Sequence, residues 1–311
     1  MFNNAKNNDF MKTLSEQAQE ILKGKTSVAN KKQALIKLGL REIDVNNLLY
    51  VYCAGQRAEE KAKRAAAKVV NSLTFGVEIE CYNAASDLIR ERAQANNLSI
   101  QYEGYNHRDN HSYFKFVSDS SIQGAMPIEC VTPVLKGDKG FSDLKKCCKT
   151  LNEAGCKVNK STGLHVHVGG VKTNEHYISV FQNYKMLENV IDTFMAESRR
   201  GNNSQWCRTL QDHSFDNFNS VGEVQRELNS RYHKVNAESW SRHNTIEFRQ
   251  HQGSTDFEKI KMWATFCIKL VAWSENNRLN EQVNSINDIA FLNEQEKQFF
   301  NERANHFAGV A

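Results

Sequence analysis

From Leu73 onward, apolar residues recur at every second position in five segments: TFGVEIECY (74–82), SYFKFVSD (112–119), PIECVTPV (127–134), LHVHVGG (164–170) and TIEFRQH (245–251). Period two is the spacing of a strand that buries one face, so each segment predicts a β-strand. Between them, the stretches near 85–96, 138–154, 174–200, 221–230 and 257–274 carry helical periodicity. Ahead of them, Phe10, Leu14, Ala18, Ile21 and Leu22, then Ala34, Leu35, Leu38, Val45, Leu48 and Leu49, repeat at helical spacing, and Ser27 is placed to cap a helix. The segment AEEKAKRAAAKVV (58–70) is rich in strong helix formers and nearly lacks large apolar side chains, which predicts an exposed linking helix. The pattern as a whole predicts an α+β fold. A body over residues 71–311 carries a mostly antiparallel sheet with helices on one side, and a small all-helical module over residues 1–70 precedes it.

Composition agrees with a folded body. In 311 residues, 40% hydrophobic and 10% aromatic content can fill one sizeable core, which excludes a disordered chain. The formal charge of +4 is unevenly spread: residues 1–70 hold 13 Lys and Arg against 7 Asp and Glu, a net +6, and residues 71–311 hold 27 against 29, a net −2. The basic residues of the head are scattered among Ala, Gln and Glu, so they read as a solvated helical face. Nucleic acid is not expected as a partner; docking to a protein or self-association is. No stretch approaches the ~18 apolar residues of a membrane span, and MFNNAKNNDFMKTL has no apolar signal-peptide core, so a cytoplasmic protein without membrane contact is expected. Eight cysteines without CxxC spacing are expected to be reduced.

The charges on the strands change the picture more. Alternation in FGVEIEC turns Phe75, Val77, Ile79 and Cys81 to one face and Glu78 and Glu80 to the other. It likewise turns His165 and His167 away from Leu164, Val166 and Val168. Glu247, Arg249 and His251 turn away from Ile246 and Phe248. An ordinary half-exposed sheet would favour Thr, Ser, Lys and Gln on its outer face. With Glu129 of PIECVTP, four glutamates converge on one side and repel one another unless cations neutralise them. Oxygen donors with one or two imidazoles favour Mg²⁺ or Mn²⁺, with zinc the alternative. Arg249 beside Glu247 suits a phosphate held by metal and guanidinium together.

In their order, FGVEIE, VSDSSI with PIECVTPVL, STGLHVHVG and NTIEFR resemble the phage and bacterial amidoligases of the glutamine synthetase-like superfamily, over residues 74–255. The resemblance implies an ATP-dependent carboxylate–amine ligase acting through an acyl phosphate on small-molecule or peptide substrates, in the host cytoplasm if phage-encoded. It implies Glu78, Glu80, Glu129, His165 and Glu247 as ligands of Mg²⁺ or Mn²⁺. Arg249, Glu129 and Arg242 become candidate catalytic residues, and Asn236, Lys234, Arg249 and His167 candidate ATP-binding residues. Asp119 and Ser120 sit at the matching turn, where a purely structural role is equally expected. The 70 residues ahead depart from full glutamine synthetases, which carry a small β domain there. Two alternatives stay open at this stage: a metal-dependent phosphotransferase or hydrolase on the same sheet, and a phage structural or binding protein with a vestigial site. Loops 101–112 and 201–220 are expected to form the substrate pockets.

Overall fold

The computed structural model describes residues 14–104 and 111–309; Phe10 and part of the 101–112 loop lie outside them. The chain divides into two compact units, Met1–Ala67 and Lys68–Ala311.

In the first unit, α1 (Leu14–Lys23), α2 (Val28–Lys37) and the start of α3 (Glu42–Val70) enclose a small core of Ala18, Leu22, Leu35, Val45 and Leu49. Ser27 caps α2, its hydroxyl accepting from the Asn30 amide at 3.2 Å. Lys31 is buried and satisfied by the Leu22 carbonyl and the Tyr52 hydroxyl. The sequence pattern divides α3 near residue 56, but the helix is continuous; one glycine, Gly55, costs only about 1 kcal/mol among strong helix formers.

The second unit is an eight-stranded sheet in the order β2-β3-β4-β1-β6-β8-β7, with the two-residue β5 (Leu135–Lys136) also pairing β1. Its strands are β1 (Thr74–Cys81), β2 (Ile100–Glu103), β3 (Phe114–Val117), β4 (Ile128–Val131), β6 (Gly163–Gly169), β7 (Val235–Asn236) and β8 (Thr245–Gln252). Every pairing is antiparallel except β2 with β3. One sheet face is apolar and buried: Phe75, Val77, Ile79, Cys81, Leu164, Val166, Val168, Ile246 and Phe248 are at most 2% exposed. Each large side chain buried there contributes about 1.5–3 kcal/mol.

Helices close that face. α9 (Phe257–Ser274) packs on β1 and β6, and α5 (Gly137–Glu153) and α6 (Asn174–Thr193) pack on α9. α4 (Ser86–Ala95) packs on α5, and α10 (Glu294–Ala308) on α6. Phe75 stacks on Phe141 at 4.7 Å, and Phe266 meets Trp263, Phe194 and Phe300. The expected helix over 174–200 stops at Thr193. The Thr193 hydroxyl turns back to the Val190 carbonyl, and Phe194 dives against Phe300 at 4.6 Å.

Among the described residues, no helix is long and apolar enough to cross a membrane, and all eight cysteines are free thiols.

Candidate active site

The sheet's other face lines a cavity of about 730 Å³. Register brings its polar groups together. Glu80 lies opposite Glu129, Glu78 opposite His165, His167 opposite Glu247, and Glu247 opposite Asn236. Four adjacent strands thus deliver four carboxylates and two imidazoles to one floor.

His165 is the hub. Its Nδ1 lies 2.9 Å from Glu78 Oε2 and 3.7 Å from Glu247 Oε1, and its Nε2 lies 3.5 Å from Glu80 Oε1. His167 Nε2 approaches Glu78 Oε1 at 3.2 Å but off the line a hydrogen bond needs, and its Nδ1 meets Thr245 Oγ1 at 3.0 Å. Asn236 Nδ2 donates to Glu247 Oε2 at 2.6 Å, and Arg249 Nη1 pairs with the other oxygen of the same carboxylate. Gly163 lets these groups meet. Its amide donates to Glu80 Oε2 at 2.6 Å, and a Cβ there would stand 2.9 Å from His165 Nε2.

The electrostatics are those of crowded acids. Burial would raise the Glu78 carboxyl, but the charge of the nearby His167 and the hydrogen bond from His165 override it and hold it well below the usual range. Burial likewise opposes ionisation of Glu247, yet Arg249 and His167 bring it down to about 2. Glu129 goes the other way: burial, then the charges of Glu78, Glu80 and Asp119, push it well above an ordinary carboxylate. His167 is raised despite burial, chiefly by Glu78.

Three overlapping groups of donors have their atoms within 4.8 Å of one another: Glu78, Glu129 and His165; Glu78, His167 and Glu247; and Glu80, Asp119 and Glu129. Hard oxygen donors with one imidazole per group at most fit Mg²⁺ or Mn²⁺. The like charges massed around Glu129 fit the same ions, since a cation would relieve the repulsion.

Of the residues predicted from sequence, Glu78, Glu80, Glu129, His165, His167, Asn236, Arg242, Glu247 and Arg249 all line this cavity. Lys234 does not. Its ammonium is fully buried and ion-paired to Glu188 at 2.8 Å and Asp192 at 2.7 Å on α6, behind the sheet. Lys234 precedes the two-residue β7, where strand alternation is not enforced, so its parity with Asn236 was no guide. His251 also departs from the period-two reading. A register shift between Leu164 and Val166 puts an extra residue into β8. His251 therefore faces the helices against Trp263, and burial, then Arg303, lowers its pKa to about 3.

Further residues outside the predicted ligand and ATP-binding sets also line the cavity. Lys115 sits on β3 between two core phenylalanines, Phe114 and Phe116, and Asp119 follows in a turn where its Oδ1 accepts from the Ser121 amide at 2.8 Å. Arg199, buried and donating to the Thr162 carbonyl at 2.6 Å, and Arg231 add positive charge. Trp206 and Tyr232 form an edge-to-face aromatic pair with centroids 4.9 Å apart. Lys115 was readable from alternation in SYFKFVSD; the others come from irregular segments, which carry no period.

No curated protein matches this chain. A crystal structure of a bifunctional glutathione synthetase from Pasteurella multocida is similar over 78% of this chain and 43% of its own, with 11% identity and a TM-score of 0.36. This chain thus spans less than half the length of that protein. The family model described as "Putative amidoligase enzyme" matches residues 71–271, which hold all nine predicted cavity residues, and the chain belongs to that family.

Proposed function

We propose that this chain is a carboxylate–amine ligase that consumes ATP and works with Mg²⁺ or Mn²⁺ on a glutamine synthetase-like sheet. The observation that supports it most is the composition of one cavity. Its floor of carboxylates and imidazoles forms three overlapping donor groups, and five cationic side chains, Lys115, Arg199, Arg231, Arg242 and Arg249, line the same space. Membership of the amidoligase family supports amide-bond formation as the outcome.

A carboxylate is a poor electrophile. In the proposed reaction its oxygen attacks the γ-phosphorus of ATP, the bond to the bridging oxygen breaks, and ADP leaves. The amine nitrogen then attacks the acyl carbon, phosphate departs with one former carboxylate oxygen, and the nitrogen loses a proton to complete the amide. Divalent ions, when bound, would neutralise phosphate charge and polarise the transferred group.

The chain's residues orient and stabilise. Asn236 and Arg249 grip opposite oxygens of Glu247, which fixes that carboxylate and aims the guanidinium at the cavity. Arg249 stays charged at any physiological pH: burial opposes it, but Glu247 and Glu78 raise its pKa further. A fixed guanidinium needs no reorganisation when charge develops on the phosphoryl oxygens. No cysteine lines the cavity among the described residues, and no covalent nucleophile is required.

The test is to incubate the full chain with ATP, Mg²⁺ and a panel of amines and carboxylates, following products by mass spectrometry. The expected result is ADP, phosphate and an amide in equal amounts. A phosphorylated amine as the stable product would replace the reading with phosphotransfer, and hydrolysis of the corresponding amides, supplied separately without ATP, would replace it with a metal hydrolase.

A further inference from the structure

A second pocket, of about 250 Å³, opens beside the first and shares Glu78, Val131, His167 and His243 with it. The two differ sharply in charge. The main cavity has five Lys and Arg side chains; the second has none among the described residues that line it, and Glu78 is its one carboxylate. Val131, Pro133 and Val134 supply apolar walls, and Val134 is 68% exposed at the rim. Glu78 is also the most accessible of the acids measured against His165, with its side chain 24% exposed against 8% for Glu80 and 6% for Glu247.

Resting on the ligase reading above, we propose that this pocket receives the amine substrate, and that the amine is a primary amine with a short, uncharged, largely apolar body. The phosphates and the carboxylate need the cation-lined cavity, because a buried anion without a positive partner is costly. An amino group needs the opposite, and it finds the Glu78 carboxylate at the junction, within reach of the cavity where the activated acyl group would lie. Among the described residues, a body bearing its own carboxylate or phosphate would find no Lys or Arg in the second pocket. The volume lies below the roughly 300–1,000 Å³ of sites for drug-sized ligands, which suits a short side group and not a peptide.

Gly76 sets the pocket's size. It lies on β1 on the same face as Glu78, its φ is not in the left-handed region, and a Cβ there would meet His167 Cβ and Thr132 Oγ1 at 3.8 Å, an ordinary contact. A Cβ at this position therefore enters the pocket without straining the backbone, and a larger side chain reaches further into it.

The proposal is tested by ligand-observed NMR with n-butylamine and butanoate on the full chain and on Gly76→Ala and Gly76→Val, together with amide formation from methylamine and n-butylamine. Butylamine is expected to bind the parent, with butanoate failing to compete, and binding should weaken at least about tenfold in Gly76→Val with Gly76→Ala between. The ratio of kcat/KM for butylamine over methylamine should fall in the same order, and this ratio is insensitive to the fraction of protein folded. Butylamine binding that is absent from the parent, or equal in parent and Gly76→Val, would overturn the pocket assignment. Size-dependent amine binding without ATP-dependent amide formation would instead preserve the pocket and sink the ligase reading.

Discussion

Two clusters of buried charge lie on opposite sides of β8, and they are built on opposite principles. Behind the sheet, Lys234 pairs with Glu188 and Asp192, and the remaining capacity of those acids is taken up by the Thr209 hydroxyl, the Leu210 amide at 2.7 Å and Gln250. That network is closed: each charge has its partners in the chain. On the cavity side, Glu80 faces Glu129 across two strands with Glu78 and Asp119 nearby, and the Arg249 Nε has no hydrogen-bond partner. That cluster is open. A closed network holds a fold together, whereas an open one stores repulsion and unmet valence that a ligand can satisfy.

The largest effects should separate by kind. Glu247→Ala is expected to cut ADP release by about 10²–10³-fold or more, because a donor that two groups hold in place is lost, and to cost less stability than loss of Lys234, because Glu78 and Glu80 still offset the Arg249 charge. Lys234→Met should do the reverse in stability, costing about 3–5 kcal/mol by stranding Glu188 and Asp192, as measured by denaturant unfolding. If Lys234→Met unfolds like the parent, the closed network does not carry the structural role described.

Cations should sharpen the contrast next. Mg²⁺ or Mn²⁺ is expected to stabilise the parent by about 2.7 kcal/mol at a hundred times its dissociation constant. Glu80→Gln removes one donor from the group with Asp119 and Glu129, so the thermal shift with added cation should shrink there while Lys234→Met retains it.

The smallest effect is one of pH. His251 has a folded pKa of about 3, below its ordinary value, so as pH falls the unfolded chain takes up a proton first. Stability from this residue is complete above about pH 6.5 and is lost downward from there by up to about 1.4 kcal/mol per pH unit. Unfolding free energies at pH 7 and 5.5 should differ less in His251→Phe than in the parent. Equal differences would mean that burial of this imidazole in its neutral form is not what the register shift achieves.

The floor of the cavity was legible because it lies on regular strands. Glu78, Glu80, His165, His167, Glu247 and Arg249 were readable by counting in twos, since pleating forces alternation wherever one face is buried. The count failed at His251, where β8 takes an extra residue, and at Lys234, just outside a two-residue strand. Short β2 and β7 lack enough residues to show a period. Polar α10 hides its buried face behind few apolar positions, chiefly Phe300, while Lys269 and Glu296 pair at 2.6 Å beneath it. Trp206 and Tyr232 reach the cavity from turns, so only the folded chain reveals them.

On the ligase proposal, the open cluster binds a nucleotide through divalent cations. Calorimetric titration of ATP into the full chain, with and without Mg²⁺ or Mn²⁺, and into Glu247→Ala, tests it most directly. Saturable binding that requires the cation and weakens at least about tenfold in Glu247→Ala is the predicted result; no binding in the parent with either cation present would contradict it.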